Sequence, residues 1–211
     1  MDKERLISVQ KRLAEDIRRG TRKRDFSPFD IYQFIDKDEK EAFLEEQSDE
    51  KKTSAQDVMG LLLSAKKEII IFAGNLSWIT ITSGGVKILD VIRDQANKGV
   101  KISVLCGIHL PAVENIELLL ALNKKLKNKI EVRHSFQPLR AIIVDDKIAR
   151  LKEIKSPSDY EQENRTKTFI FYTITDPVWV KWLKEVFHSY FDSGDYAEAR
   201  IRELKSIQKI K

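Results

Sequence analysis

The sequence predicts an α/β domain in which a mixed or mostly parallel sheet is flanked by helices, with a charged helical extension ahead of it. Three observations carry this expectation. Glu68–Ala73 (EIIIFA) and Lys101–Cys106 (KISVLC) are short apolar runs rich in branched residues, the texture of buried strands. Segments with apolar residues at three- and four-residue intervals alternate with these runs, as helices do in α/β domains. The 211 residues, 42% of them hydrophobic, suffice for one domain with a single sizeable core.

Residues 1–52 are read as the extension. Leu6, Val9, Leu13 and Ile17 form a narrow apolar stripe on an otherwise charged helix, suited to packing on the domain or on a second copy of itself. A basic cluster follows: Arg18, Arg19, Arg22, Lys23 and Arg24. Ser27-Pro28 starts a short packed element through Ile35, because proline fits the first helical turn. An acidic stretch from Asp36 to Glu50 leads into the main domain, residues 53–192.

Thr53 or Ser54 is expected to cap a helix through Lys66, ahead of the Glu68–Ala73 strand. Ser83-Gly84-Gly85 is expected to open a helix that Gly99 stops. After the strand at Lys101–Cys106, Pro111 starts a leucine-rich helix through Lys127. Strands are predicted at Ile130–Arg133, Ala141–Val144 and Thr168–Thr173, with Ala149–Ile154 pairing to Ala141–Val144 across an Asp145-Asp146-Lys147 turn. Asp176 caps a helix from Pro177 to about Tyr190, and residues 193–211 form a charged C-terminal helix.

Composition narrows the function classes. Charged residues make up 34% of the chain against an average of about 25%, so the surface is densely charged. Net charge is +5 and the pI is about 9.1, which suits an acidic partner. No apolar run approaches the roughly 18 residues of a membrane span, and the N-terminus lacks a signal-peptide core. A single cysteine, Cys106, makes no internal disulfide, and the cytoplasm is the expected compartment. Three histidines without shared spacing form no metal site, and no cofactor is implied.

The strand–helix spacing from Ser54 to Phe191, followed by the PLRAIIVDDKIARL segment, resembles the phospholipase D (PLD) superfamily. In that family one strand carries His-x-Lys-x4-Asp, whose histidine attacks phosphorus while the lysine neutralises phosphate oxygens. On this sequence the histidine position falls on Pro138, the lysine position on Arg140 and the aspartate position on Asp145. Proline has no nucleophilic nitrogen, so the resemblance implies a degenerate member that binds rather than hydrolyses. The LLLSAKKEIIIFAGN segment, the R-x-x-I-V-D strand and the late VWVKWLKEVFHSYF helix are similar to the effector-binding domain of TrmB-type transcriptional regulators. There a PLD-like fold binds a sugar or another small molecule. The winged helix that precedes that domain has no recognisable counterpart in residues 1–52.

Ligands of open α/β sheets sit at the carboxyl ends of strands. That rule selects Asn75, Ser77, Trp78, Ser83, Gly84 and Gly85 after the first strand, His109 after the second, and Arg140 with Asp145 from the degenerate motif. Ser83-Gly84-Gly85 at a helix start would offer free N–H groups to an anion, or would be only a capped turn. The expected function is a regulatory, non-catalytic PLD-like module for a small sugar-like or phosphate-bearing ligand or a protein partner. The resemblance also implies pairing of two copies. The alternative is nucleic-acid association through phosphate contacts from Arg18, Arg19, Arg22, Lys23 and Arg24. A PLD-type phosphodiesterase is the third reading, opposed by Pro138.

Overall fold

The branched runs form the centre of one eight-stranded sheet, and the segments with helical spacing pack on both its faces. The computed structural model describes residues 2–46, 52–157 and 166–208. In chain order the elements are α1 (Lys3–Arg19), α2 (Phe29–Tyr32), β1 (Lys40–Glu46), α3 (Lys52–Leu63), β2 (Glu68–Ala73), β3 (Thr82–Ser83) and β4 (Val86–Lys87). There follow α4 (Ile88–Asn97), β5 (Lys101–Cys106), α5 (Val113–Ala121), β6 (Glu131–His134), β7 (Ala141–Val144) and β8 (Ile148–Lys155). The chain ends in β9 (Thr168–Ile174), α6 (Pro177–Phe191), β10 (Asp195–Tyr196) and α7 (Ala197–Gln208).

The strand order is β1-β9-β8-β7-β2-β5-β6-β10. Only β2–β5 and β5–β6 pair in parallel; the other neighbours are antiparallel. The sheet is therefore mixed, and the mostly parallel alternative does not hold. Its cause lies after β6: the chain returns along β7, then β8 and β9 follow as an antiparallel meander, with Asp145 and Asp146 in the β7–β8 turn.

Side chains alternate between two cores. Ile69, Ile71 and Ala73 of β2 face α3, α4, α5 and α7, whereas Ile70 and Phe72 face α1, α2 and α6. On the second side the rings of Phe72 and Phe187 meet edge to face at 5.1 Å.

Neither end of the chain stands apart from the domain. The apolar stripe of α1 is used on the domain itself: Leu13 and Ile17 are buried, with Leu6 and Val9 packed beside them. Part of the predicted acidic stretch is the edge strand β1, whose Phe43 stacks on Phe171 of β9 at 4.8 Å. The rest, residues 47–50, lies outside the described residues. At the other end β10 pairs with β6, and Ala197, Ile201 and Leu204 of α7 enter the first core.

The end of α1 is held against the segment before β7. A Cβ on Gly20 would lie 2.9 Å from Pro138 Cγ, closer than real contacts allow, and 3.2 Å from Asp25 Cβ, a tight contact. Gly20→Ala is therefore expected to cost about 1–3 kcal/mol, because neither the proline ring nor a Cβ can swing aside. A urea titration reads this as a lower midpoint with an unchanged slope.

Candidate functional site

On the face bearing α3 and α4, helices cover β2, β5 and β6. Beyond them, over β7 and β8, lies a cavity of about 510 Å³. Its position follows from strand alternation. Arg150, Lys152 and Ile154 are two residues apart on β8 and point into the cavity, while Ala149 and Leu151 point into the opposite core. Arg140, just before β7, joins them; its carbonyl accepts the Lys152 N–H at 2.8 Å. Ala55 and Val58 of α3, with Trp78, Ile81 and Ile88, make the facing wall.

Five cations line this space: Lys23, Arg140, Arg150, Lys152 and Lys167. No carboxylate does so among the described residues. Arg150 is paired with Asp57 and donates Nε to Thr173 Oγ1 at 3.0 Å. The Lys152 ammonium sits 3.9 Å from the Phe169 ring centre and 5.1 Å from that of Phe171. Burial first, and then the charges of Arg140 and Lys167, bring its amine down to about 8, while Glu45 acts in the opposite direction. Arg140 has no ion-pair partner among the described residues, and burial lowers its pKa. An anion would relieve both groups.

Lys23 was expected with the basic cluster but turns into the cavity. Its Nζ donates to the carbonyls of Gln137 at 2.8 Å and Leu139 at 2.6 Å, on either side of Pro138. Burial, and next the Arg140 charge, hold its amine well below the ordinary lysine range. Arg18, Arg19, Arg22 and Arg24 remain on the surface, where Arg19 lies 3.8 Å from Asp16 and 4.0 Å from Glu15. The cluster is therefore four exposed arginines and one lysine that belongs to the cavity.

Of the other predicted residues, Asn75, Ser77, Trp78 and His109 line the same cavity as Arg140. Asn75 Oδ1 accepts the Ser77 N–H at 3.2 Å, and His109 Nδ1 lies 2.9 Å from the Gly107 carbonyl.

Ser83, Gly84 and Gly85 are not brought there. Gly84 and Gly85, at φ 57° and 79°, form the turn of a small hairpin between β3 and β4, which demands positive φ at both positions. Helix α4 starts only at Ile88, so no helix N-terminus lies at these glycines.

Asp145 is also elsewhere. In left-handed conformation at φ 53°, it accepts the N–H groups of Lys66, Lys67 and Glu68 at 3.1, 2.8 and 3.0 Å. It ties the β7–β8 turn to the start of β2 and does not line the cavity. Burial pushes its carboxyl up, yet the three N–H bonds together outweigh that and lower it.

Cys106 is buried, and burial pushes its thiol up to about 12, which makes it an inert core residue. His134 is buried and accepts the Ile108 N–H at Nδ1, 2.9 Å away, a structural role.

Arg150, Lys152 and Lys167 were not singled out by sequence. The signal was present in IARLKEIK, where every second residue from Arg150 faces one side, but that strand was read only for its pairing.

No protein-family model matches the chain, and no curated protein sequence does. Solved structures do. TrmBL2, described as an archaeal chromatin protein with a novel mode of DNA binding, is 19% identical with a TM-score of 0.53. The match covers 74% of this chain and 55% of TrmBL2, so this chain corresponds to about half of that protein. NucT from Helicobacter pylori is 15% identical with a TM-score of 0.50, over 75% of this chain and 99% of NucT. Nuc from Salmonella typhimurium, a phospholipase D family member, is 13% identical at 0.49, over 74% of this chain and 98% of Nuc. Likeness at this level speaks to the fold, and no helix among the described residues is long and apolar enough to cross a membrane. The chain has the phospholipase-D-like fold; the sequence resemblance implies that Pro138 and Arg140 stand where that family's motif has histidine and lysine.

Proposed function

We propose that this protein is a non-catalytic PLD-like module that binds a small phosphate-bearing ligand in the cavity beside Arg140 and serves a regulatory role. One observation carries the reading: five cations from separate parts of the chain converge on one cavity that no described carboxylate lines. Apart from Arg150, which is paired with Asp57, these groups form no ion pair among the described residues, and an anionic ligand turns their mutual repulsion into affinity. Against catalysis stands the segment around Pro138. It has no nucleophile of its own, Gly20 packs on its ring, and Lys23 binds the carbonyls on both sides. His109 lines the cavity, but its Nδ1 neighbour is a backbone carbonyl rather than a carboxylate.

The test combines binding and turnover. Phosphorus NMR of inorganic phosphate should show line broadening on addition of the protein, lost in Arg140→Ala. Bis(4-nitrophenyl) phosphate should not be hydrolysed above background. Hydrolysis that co-purifies with the protein and disappears in His109→Ala would overturn the non-catalytic part.

A second reading is favoured by the exposure of Arg18, Arg22 and Arg24, which form no ion pair among the described residues. In it these arginines contact nucleic-acid phosphates, and Lys23 links that surface to the cavity. The DNA binding ascribed to TrmBL2 gives this reading a precedent within the fold. Anisotropy of a labelled duplex would then fall steeply with salt, and replacing the three arginines with glutamate would abolish binding. Pairing of two copies remains part of the proposal through the PLD resemblance, not through α1, whose stripe is covered within the chain.

A further inference from the structure

The cavity is lined both by cations, Arg140, Lys152 and Lys167 among them, and by apolar side chains, Val58, Ile71, Trp78, Ile81 and Ile88 among them. Arg150, in register with Ile71 through Ile142, is paired with Asp57. The cavity's volume of about 510 Å³ is that of a site for a whole small molecule rather than a lone phosphate, since such sites run from roughly 300 to 1,000 Å³. Uncharged polar side chains are few: Asn75, Ser77 and His109. Two of them are partly committed, Asn75 Oδ1 to the Ser77 N–H at 3.2 Å and His109 Nδ1 to the Gly107 carbonyl at 2.9 Å.

Resting on the phosphate-binding reading above, we propose that the ligand is a phosphate carried on a flat, largely apolar ring body, and not a phosphorylated sugar. A sugar ring presents hydroxyls in several directions. Against the wall formed by Val58, Ile71, Trp78, Ile81 and Ile88 they would lose water without gaining partners. A ring body instead buries apolar surface on that wall and offers its face to the Trp78 indole. The phosphate meets Arg140, which supplies a planar fork of donors, with Lys152 and Lys167 as further cations. Aryl phosphates have this chemistry; a nucleotide, whose phosphate is carried on ribose, does not.

Isothermal titration at pH 7.5 with inorganic phosphate, glucose 6-phosphate, adenosine monophosphate and 1-naphthyl phosphate separates the cases. The proposal expects 1-naphthyl phosphate to bind at least tenfold more tightly than inorganic phosphate and glucose 6-phosphate. Adenosine monophosphate, whose phosphate is carried on ribose, should also bind at least tenfold more weakly, and its matching 1-naphthyl phosphate would overturn the exclusion of phosphorylated sugars. Val58→Gln and Trp78→Leu, each checked by its thermal melt, should remove the tenfold gain. Glucose 6-phosphate binding as tightly as 1-naphthyl phosphate would overturn the ring-body proposal and leave phosphate binding standing. Failure of all four ligands would overturn the phosphate-binding reading itself.

Discussion

Replacing Asp145 with alanine is expected to lower stability by about 2–4 kcal/mol and to leave ligand binding unchanged. Its carboxylate accepts three N–H groups at the start of β2, and alanine would leave those donors without their partner. The residue also holds a left-handed conformation at φ 53°, which aspartate and asparagine tolerate better than alanine. Asp145→Asn keeps one oxygen and that tolerance, so it should lose about half as much. Binding should survive because Asp145 lies at the far end of β7 from Arg140, roughly 16 Å along the strand at about 3.3 Å per residue. Urea unfolding gives the stability change, and titration of 1-naphthyl phosphate gives the binding.

The same carboxylate gives a pH dependence of known sign. Its folded-state pKa is lowered, so the unfolded chain binds the proton more readily. The stabilisation is complete above about pH 4, the range of a free aspartate, and is lost as pH falls through the lower folded value. Asp145→Ala should flatten that acid limb.

The second large effect concerns Lys152. With its amine brought down to about 8, much of it is neutral at pH 8 and most is neutral at pH 9 in the free protein. A bound phosphate favours the charged form, so binding must take up a proton above that pH. Affinity for 1-naphthyl phosphate, a dianion throughout the alkaline range, should fall about tenfold between pH 7.5 and 9. Lys152→Met should bind more weakly at pH 7.5 and lose the part of the pH dependence that Lys152 carries. Titrations in two buffers of different ionisation heat would count the proton directly. An affinity flat to pH 9.5 in the unmodified protein would place Lys152 outside the anion site.

The sequence made some of this legible and hid the rest for physical reasons. The strands at Glu68–Ala73, Lys101–Cys106 and Ala141–Val144 are each found where they were expected, because buried strands have an unmistakable run of branched residues. The edge strand β1 (KEAFLEE) was missed. With little of it buried, solvent permits the charges that make it read as an acidic linker. Gly84-Gly85 is a hairpin turn and not the expected helix start; a helix start tolerates glycine whereas this turn needs it, and the Val86-Lys87 pairing decides.

Asn75, Ser77, Trp78 and His109, which the strand-end rule selects, and Arg140, which the family motif selects, all line the cavity. Lys23 was grouped with its neighbours in sequence, since no local pattern shows which of five cations folds inward. Arg150 and Lys152 are legible from strand alternation, as side chains of β8 that share a face with Arg140. Asp145 was taken over from a family motif, whereas its hydrogen bonds give it a local structural task.

The measurement that bears most directly on the central claim is calorimetric titration of 1-naphthyl phosphate into the unmodified protein and into Arg140→Ala at pH 7.5. Saturable binding of one ligand per chain is expected. The variant should bind about 10–100-fold more weakly, the loss of one charge-assisted contact, with a melting temperature no lower than that of the unmodified protein. Equal affinity in the two proteins, or no binding to the unmodified one, would contradict the account.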